Sequence, residues 1–122
     1  MLFVWYPKCS TSLKAKKWLD AHNIPYEERN IKEDNPTAAE LKQWHEKSGL
    51  PLKKFFNTSG QLYREMKLSE KLPQMPEEEQ IVLLAMDGML VKRPVLVAED
   101  LVLTGFREAE YEKLLKQAEN LL

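Results

Sequence analysis

The sequence predicts an α/β domain: a mixed β-sheet with a helical insertion between a strand–helix–strand part and a strand–strand–helix part. Three observations lead there. An unbroken apolar run, Leu2 to Tyr6, opens the chain; helical periodicity follows it and returns across the middle; and two short valine- and leucine-rich runs, Pro94–Ala98 and Leu101–Thr104, lie near the end. Strand patterns at both ends of a helical middle are what one sheet covered by helices requires. With 122 residues the chain can bury one core and not two, so residues 1–122 are expected to form one domain, with the insertion at about 35–90.

Leu2 to Tyr6, ending at Pro7, reads as a strand covered on both faces and therefore inside the sheet. Ala15, Trp18, Leu19 and His22 follow the i, i+3, i+4, i+7 spacing of one helix face, with Lys14 and Lys17 pointing elsewhere. Pro25 then opens Tyr26 to Ile31, an outer strand completing a crossover unit. After the Asn35-Pro36 break, Thr37 and Glu40 form a T-x-x-E capping box, and Leu41, Trp44, His45 and Ser48 carry one face to Gly49, so a helix is predicted over 37–48. From Pro51 to Leu72 the signals are short and local, with turn chemistry at Asn57-Thr58-Ser59-Gly60, and short helices are expected. Pro76, at a first helical position before Glu77, Glu78 and Glu79, starts a helix through Met86 that Asp87-Gly88 stops; Ile81 to Met86 makes it largely buried. Glu99-Asp100 turns Pro94–Ala98 onto Leu101–Thr104 as a hairpin ended by Gly105, and Tyr111, Leu114, Leu115, Ala118 and Leu122 trace the inner face of the last helix.

Composition narrows the function classes. With 43% hydrophobic and 30% charged residues, the chain is that of a soluble globular protein. Its formal charge of −1 supplies no global field for nucleic acid or acidic membranes. Neither Met1–Tyr6 nor Ile81–Met86 approaches the roughly 20 apolar residues of a membrane span, and no basic residue precedes the first run as in a secretory leader. A cytoplasmic monomer without membrane contact is expected. The single cysteine, Cys9, excludes an internal disulfide, and any redox role for it needs an external thiol.

Cys9 follows the first strand and stands at the start of the first helix, where free N–H groups and the dipole favour an anion and lower a thiol pKa. A lone cysteine is often a small buried hydrophobe, but Lys8, Ser10 and Thr11 around it favour an exposed, reactive thiol. Ser10, Thr11 and Ser12 suit helix capping. In the C-x-x-S spacing the Ser12 hydroxyl lies about one helical turn along and can donate to the thiolate, yet it cannot resolve a mixed disulfide. Arg93-Pro94 precedes a strand that runs beside the first. A cis X-Pro bond and a strand-start proline with a solvated arginine fit that spacing equally. Arg107, Arg64 and Asn57 carry no signal by themselves. His22 and His45 sit on helix faces without convergent Cys, Asp or Glu, so they are packing residues and no metal is assigned. Lys14, Lys16, Lys17, Lys53 and Lys54 are a candidate basic patch, although charges on exposed faces usually serve solvation.

Four segments in order form a constellation. They are Pro7-Lys8-Cys9-Ser10-Thr11-Ser12 running into Lys14–Leu19, Leu52–Gly60 with Tyr63-Arg64, Arg93-Pro94-Val95-Leu96, and Gly105-Phe106. Over nearly the whole chain this resembles the arsenate reductase (ArsC), Spx and YffB family of thioredoxin-fold proteins. The Asn57–Gly60 and Tyr63-Arg64 stretch is most similar to its uncharacterised Spx-like branch, many of whose members carry C-x-x-C where this chain has Cys9 and Ser12. The resemblance implies a thioredoxin-like (glutaredoxin-like) sheet, a reactive Cys9 and a cis-proline at Pro94 facing it. In the family's arsenate reductases the cysteine attacks arsenate held by three arginines, and glutathione and glutaredoxin reduce the adduct. Arg93 matches one arginine, Asn57 occupies the second position, and the third falls near Gly105, with Arg107 and Arg64 as displaced substitutes. The implied site is therefore catalytic Cys9 with Ser10, Thr11, Ser12, Asn57, Arg64, Arg93, Pro94 and Arg107 binding a small oxyanion or thiol substrate. No bound cofactor is expected, glutathione is the implied co-substrate, and glutaredoxin or another thiol protein is the implied partner. The alternative that the resemblance offers is a non-enzymatic Spx-like transcriptional regulator binding RNA polymerase.

Overall fold

In the computed structural model, which describes residues 1–120, four strands form one sheet in the order β2-β1-β3-β4. The inner strand β1 (Leu2–Trp5) pairs in parallel with β2 (Glu27–Asn30) and antiparallel with β3 (Val95–Val97), which pairs antiparallel with β4 (Val102–Thr104). Its apolar run is explained by this position: Phe3 and Val4 alternate onto opposite faces and both are fully buried. Phe3 is opposite Leu96, and Leu96 opposite Leu103, a row packed against Ala15, Trp18 and Leu19 of α1 (Ser10–Ala21) and Tyr111 and Leu114 of α6 (Glu108–Asn120). On the other face Val4, Val95 and Val102 meet the helices between β2 and β3. This mixed four-strand sheet with helices is the α/β architecture expected.

The insertion begins with α2 (Ala38–Ser48). Thr37 accepts from the Glu40 N–H at 3.1 Å while Glu40 accepts from the Thr37 N–H at 3.1 Å, and Gly49 ends the helix at φ 67°, as the capping box and glycine predict. Short helices follow: a 3₁₀ turn at Leu52–Phe55, α3 (Gln61–Glu65), α4 (Leu68–Lys71) and a second 3₁₀ turn at Leu72–Gln74. In α5 (Glu77–Met86) the outcome differs from expectation. Pro76 caps the helix instead of occupying its first turn, and only Ile81 and Leu84 are buried, with Val82 56% and Met86 73% exposed. One face of α5 meets α2 and the core, so an all-apolar run becomes a half-covered helix. His22 also departs from its predicted packing role: it is the exposed C-cap of α1, stacked 4.0 Å from the Trp18 ring.

The predicted stop at Gly88 has a steric cause, because a Cβ there would lie 1.9 Å from the Ile31 carbonyl oxygen. Beyond it the chain returns to the sheet along the insertion: the Asn57 N–H donates to the Leu90 carbonyl and the Lys92 N–H to the Phe55 carbonyl, both at 2.8 Å. These bonds seat residues 91–93 beside the 52–57 segment, just ahead of β3. In α6, Tyr111 and Leu114 are buried and Leu115 is half-buried. Leu122 and the side chain of Ala118 lie outside the described residues.

Candidate functional site

The site is assembled where β1 hands over to α1. The Cys9 N–H closes a turn onto the Tyr6 carbonyl at 3.0 Å, and Cys9 becomes the N-cap of α1 with extended φ −102° and ψ 118°. No acidic residue occupies the first turn to compete for its free N–H groups. Half-burial alone pushes the Cys9 thiol up. Stronger in sum are hydrogen bonds from the backbone N–H and hydroxyl of Ser12, the Arg93 guanidinium and the Thr11 N–H, which hold it below the ordinary thiol value of 9.0.

Ser12 reaches this position because the helix turns its side chain inward, where it is fully buried. Its oxygen accepts from the Tyr6 N–H at 3.3 Å, so its own proton is available to the sulfur. Arg93 arrives from the opposite side, through a cis Arg93–Pro94 bond. Its guanidinium lies 5.3 Å over the Tyr6 ring and donates to the Met89 sulfur at 3.7 Å. The Pro94 carbonyl in turn accepts from the N–H of Gly105, whose φ of 73° suits glycine.

The remaining predicted residues are divided, not gathered. Thr11 and Arg107 line a cleft of about 580 Å³ together with Lys53, Lys54 and Lys92. Asn57 and Arg93 line a separate groove of about 420 Å³ bordered by Glu65 and Asp87. Asn57 itself donates to the Met89 carbonyl at 3.5 Å. Arg64 borders neither: it is exposed on α3 and donates to the Ser59 carbonyl at 3.4 Å. Ser10 is exposed at the first helical position. Of these residues Arg93 is the cation placed at the sulfur, in keeping with its match to one of the family's three arginines. Asn57 and Arg64 are carried by the insertion, whereas Arg107 stands just ahead of α6.

The proposed basic patch divides as well. Lys16 pairs with Glu28 across the sheet edge, whereas Lys53 and Lys54 face the larger cleft with Lys92, which the sequence reading missed. A signal for Lys92 existed in the Lys92-Arg93-Pro94 adjacency, since consecutive residues of extended chain point to opposite sides: Lys92 faces one groove and Arg93 the other. Among the described residues no three His, Cys, Asp or Glu side chains converge as metal ligands, and no helix is long and apolar enough to cross a membrane.

Comparison with known proteins bears on this geometry. Residues 4–114 match the model of the ArsC family. A crystal structure of an ArsC family related protein from Bacteroides fragilis superposes with a TM-score of 0.91 at 63% identity, covering 93% of this chain and 95% of that one. Another, of a possible arsenate reductase from Streptococcus mutans, gives a TM-score of 0.85 at 50% identity over 93% and 95% of the two chains. The global transcriptional regulator Spx of Staphylococcus haemolyticus is 29% identical over 89% of this chain and 82% of its own length.

Proposed function

The chain belongs to the ArsC family, and from that premise we propose that it is a thiol-dependent oxidoreductase resembling arsenate reductase, with Cys9 as nucleophile. The observation that carries this reading is the place of Cys9 as N-cap of α1 with no acidic residue in the first turn, where donors from Ser12, Arg93 and Thr11 hold its thiol below the ordinary value. Such donors favour the thiolate, the nucleophilic form, at neutral pH. Arg93 also offsets negative charge on an attacked oxyanion.

With arsenate, the Cys9 sulfur bonds to arsenic as a hydroxyl group departs as water. Cys9 and one external thiol then supply two electrons by ending as a mixed disulfide, and a second external thiol returns Cys9 to thiolate. No second cysteine stands in the chain to replace that external thiol, so glutathione and glutaredoxin, or another thiol protein, are the proposed reductants. A reducing cytoplasm is the compartment in which this cycle runs. With one guanidinium at the sulfur, arsenate should bind more weakly than in a three-arginine site, each lost charged hydrogen bond costing about 1.5 to 3 kcal/mol.

The test is a coupled assay with arsenate, glutathione and glutaredoxin, repeated with a small disulfide in place of arsenate, beside Cys9→Ser. Turnover that the substitution abolishes is expected. Turnover surviving in Cys9→Ser, or none on either substrate, overturns the reading. A second reading, a non-enzymatic regulator acting on RNA polymerase, draws support from the likeness to Spx. Stoichiometric binding to purified RNA polymerase together with an inert Cys9 would favour it.

A further inference from the structure

The helical insertion encloses a smaller pocket, of about 260 Å³, that shares no residue with the sulfur centre. It lies between the 3₁₀ turn at Leu52–Phe55, α3, α4, the second 3₁₀ turn and the first half of α5. Its floor is apolar: Leu52, Leu72 and the Tyr63 ring are buried, and Pro73 adds to the wall. Tyr63 is only 6% exposed and packs edge-on against Phe56 at 6.3 Å, yet its hydroxyl makes no hydrogen bond among the described residues. A buried tyrosine ordinarily finds a partner for that group, so this one is left to an occupant of the pocket. The rim is polar and already shaped. Gln80 spends both side-chain N–H groups on carbonyls, Leu72 at 3.2 Å and Met75 at 2.9 Å, which holds residues 72–75 against α5 and leaves its Oε1 as an acceptor. Glu77, three residues earlier on the same helix, adds a carboxylate, and Lys53 adds an ammonium from the 3₁₀ turn. Both are exposed, and they do not come within 4.0 Å of each other. The two charges of the lining therefore balance without pairing, which suits a guest carrying both signs.

We propose that this pocket binds a free α-amino acid with an apolar side chain. Lys53 and the Tyr63 hydroxyl take its carboxylate, Glu77 and the Gln80 Oε1 take its ammonium group, and Leu52, Leu72 and Pro73 cover its side chain. A volume just under the roughly 300 Å³ at which drug-sized sites begin admits a molecule of that size and not a nucleotide. A simple anion would meet Glu77, and a purely apolar guest would strip water from the Tyr63 hydroxyl without replacing it. The inference goes beyond the reading of Cys9 as a nucleophile and stands apart from it.

The test is calorimetric titration of the full chain with L-leucine, L-methionine and L-phenylalanine, beside L-glutamate and L-lysine. At least one of the three apolar amino acids should bind saturably, and the two charged ones should not. Leucinamide, which lacks the carboxylate, and 4-methylpentanoate, which lacks the ammonium group, should each bind at least about tenfold more weakly than L-leucine. Lys53→Gln and Glu77→Gln, both at exposed positions, should each weaken the best amino acid by a similar factor. Tyr63→Phe, which keeps the ring, should weaken it by about two- to tenfold. Glu78→Gln, exposed on α5 and outside the pocket, should leave it unchanged. No saturable binding of any of the three up to about 10 mM overturns the proposal. So does binding of leucinamide or 4-methylpentanoate as tight as that of L-leucine, or an affinity that Lys53→Gln or Glu77→Gln leaves unmoved. Turnover at Cys9 is not read in any arm, so failure here leaves the nucleophile reading intact.

Discussion

Cationic side chains gather in two places, and their surroundings differ. At the β2 edge, Arg29 is 14% exposed and donates to both Glu40 carboxylate oxygens, at 2.6 and 2.9 Å, and to the carbonyls of Asp34 and Asn35. Glu40 also closes the capping box, so one guanidinium fastens β2 to the start of α2. Lys16 reaches from α1 to Glu28 on β2 and to the Tyr26 hydroxyl, which donates to Asp20 at 2.6 Å. In the cleft beside Thr11, Lys53, Lys54, Lys92 and Arg107 have no such partners among the described residues. The first group joins elements of the fold; the second presents charge to whatever enters. Residue type does not distinguish the two groups, but the presence of a carboxylate within reach does.

Arg29→Ala should therefore cost the most stability, about 2 to 4 kcal/mol, because it leaves Glu40 and two carbonyls short of a donor. Chemical denaturation measures it, and a loss below about 0.5 kcal/mol would erase the contrast. The pH dependence has a definite sign. Arg29 holds the Glu40 carboxyl below its ordinary 4.5, so its contribution is fully present above that value and disappears as pH falls through the lower folded value. The stability difference between the protein and Glu40→Gln should shrink in acid accordingly.

Arg93 is intermediate, a cation whose partner is a sulfur atom. Arg93→Gln should slow alkylation of Cys9 by iodoacetamide at pH 7 by about tenfold and move the thiol titration upward toward 9.0. An unchanged rate would remove Arg93 from the site. The lowered Cys9 value also implies stability that is complete above pH 9.0 and declines as pH falls through the folded value, a dependence Cys9→Ser should lack.

Lys16→Ala, at a pair whose side chains remain 27% and 46% exposed, should cost about 0.5 to 1 kcal/mol, reduced further by salt. Smallest of all, the Lys53→Gln/Lys92→Gln variant should change stability by no more than about 0.5 kcal/mol in either direction. A loss above about 1 kcal/mol there, in the same denaturation measurement, would mean that the cleft cations do structural work after all.

Much of this arrangement was legible because it depends on neighbours in the chain. The Thr37–Glu40 capping box, the Gly49 helix end, the buried Phe3 and Val4 of an inner strand, and the Cys9 position at a helix start all follow from spacing within a few residues. Where neighbours in space decided, sequence reasoning failed. Val82 and Met86 look like core residues until α2 is seen to cover one face of α5 only. Asn57, Arg64 and Arg107 look like parts of one cradle until Asn57 is found in one groove, Arg107 in another and Arg64 in neither.

The chain's own periodicities and caps determined the elements, their order and the placing of a single thiol among free helix N–H groups, since each is settled by backbone geometry over a turn or a strand. Tertiary structure alone decided that Arg93 meets that sulfur, and that Lys92 joins Lys53, Lys54 and Arg107 in one unbalanced cleft. The physical reason is range. Local dihedral preferences act over a few residues, whereas a shared field arises only when segments as separate in the chain as residues 53–54, 92 and 107 are brought side by side.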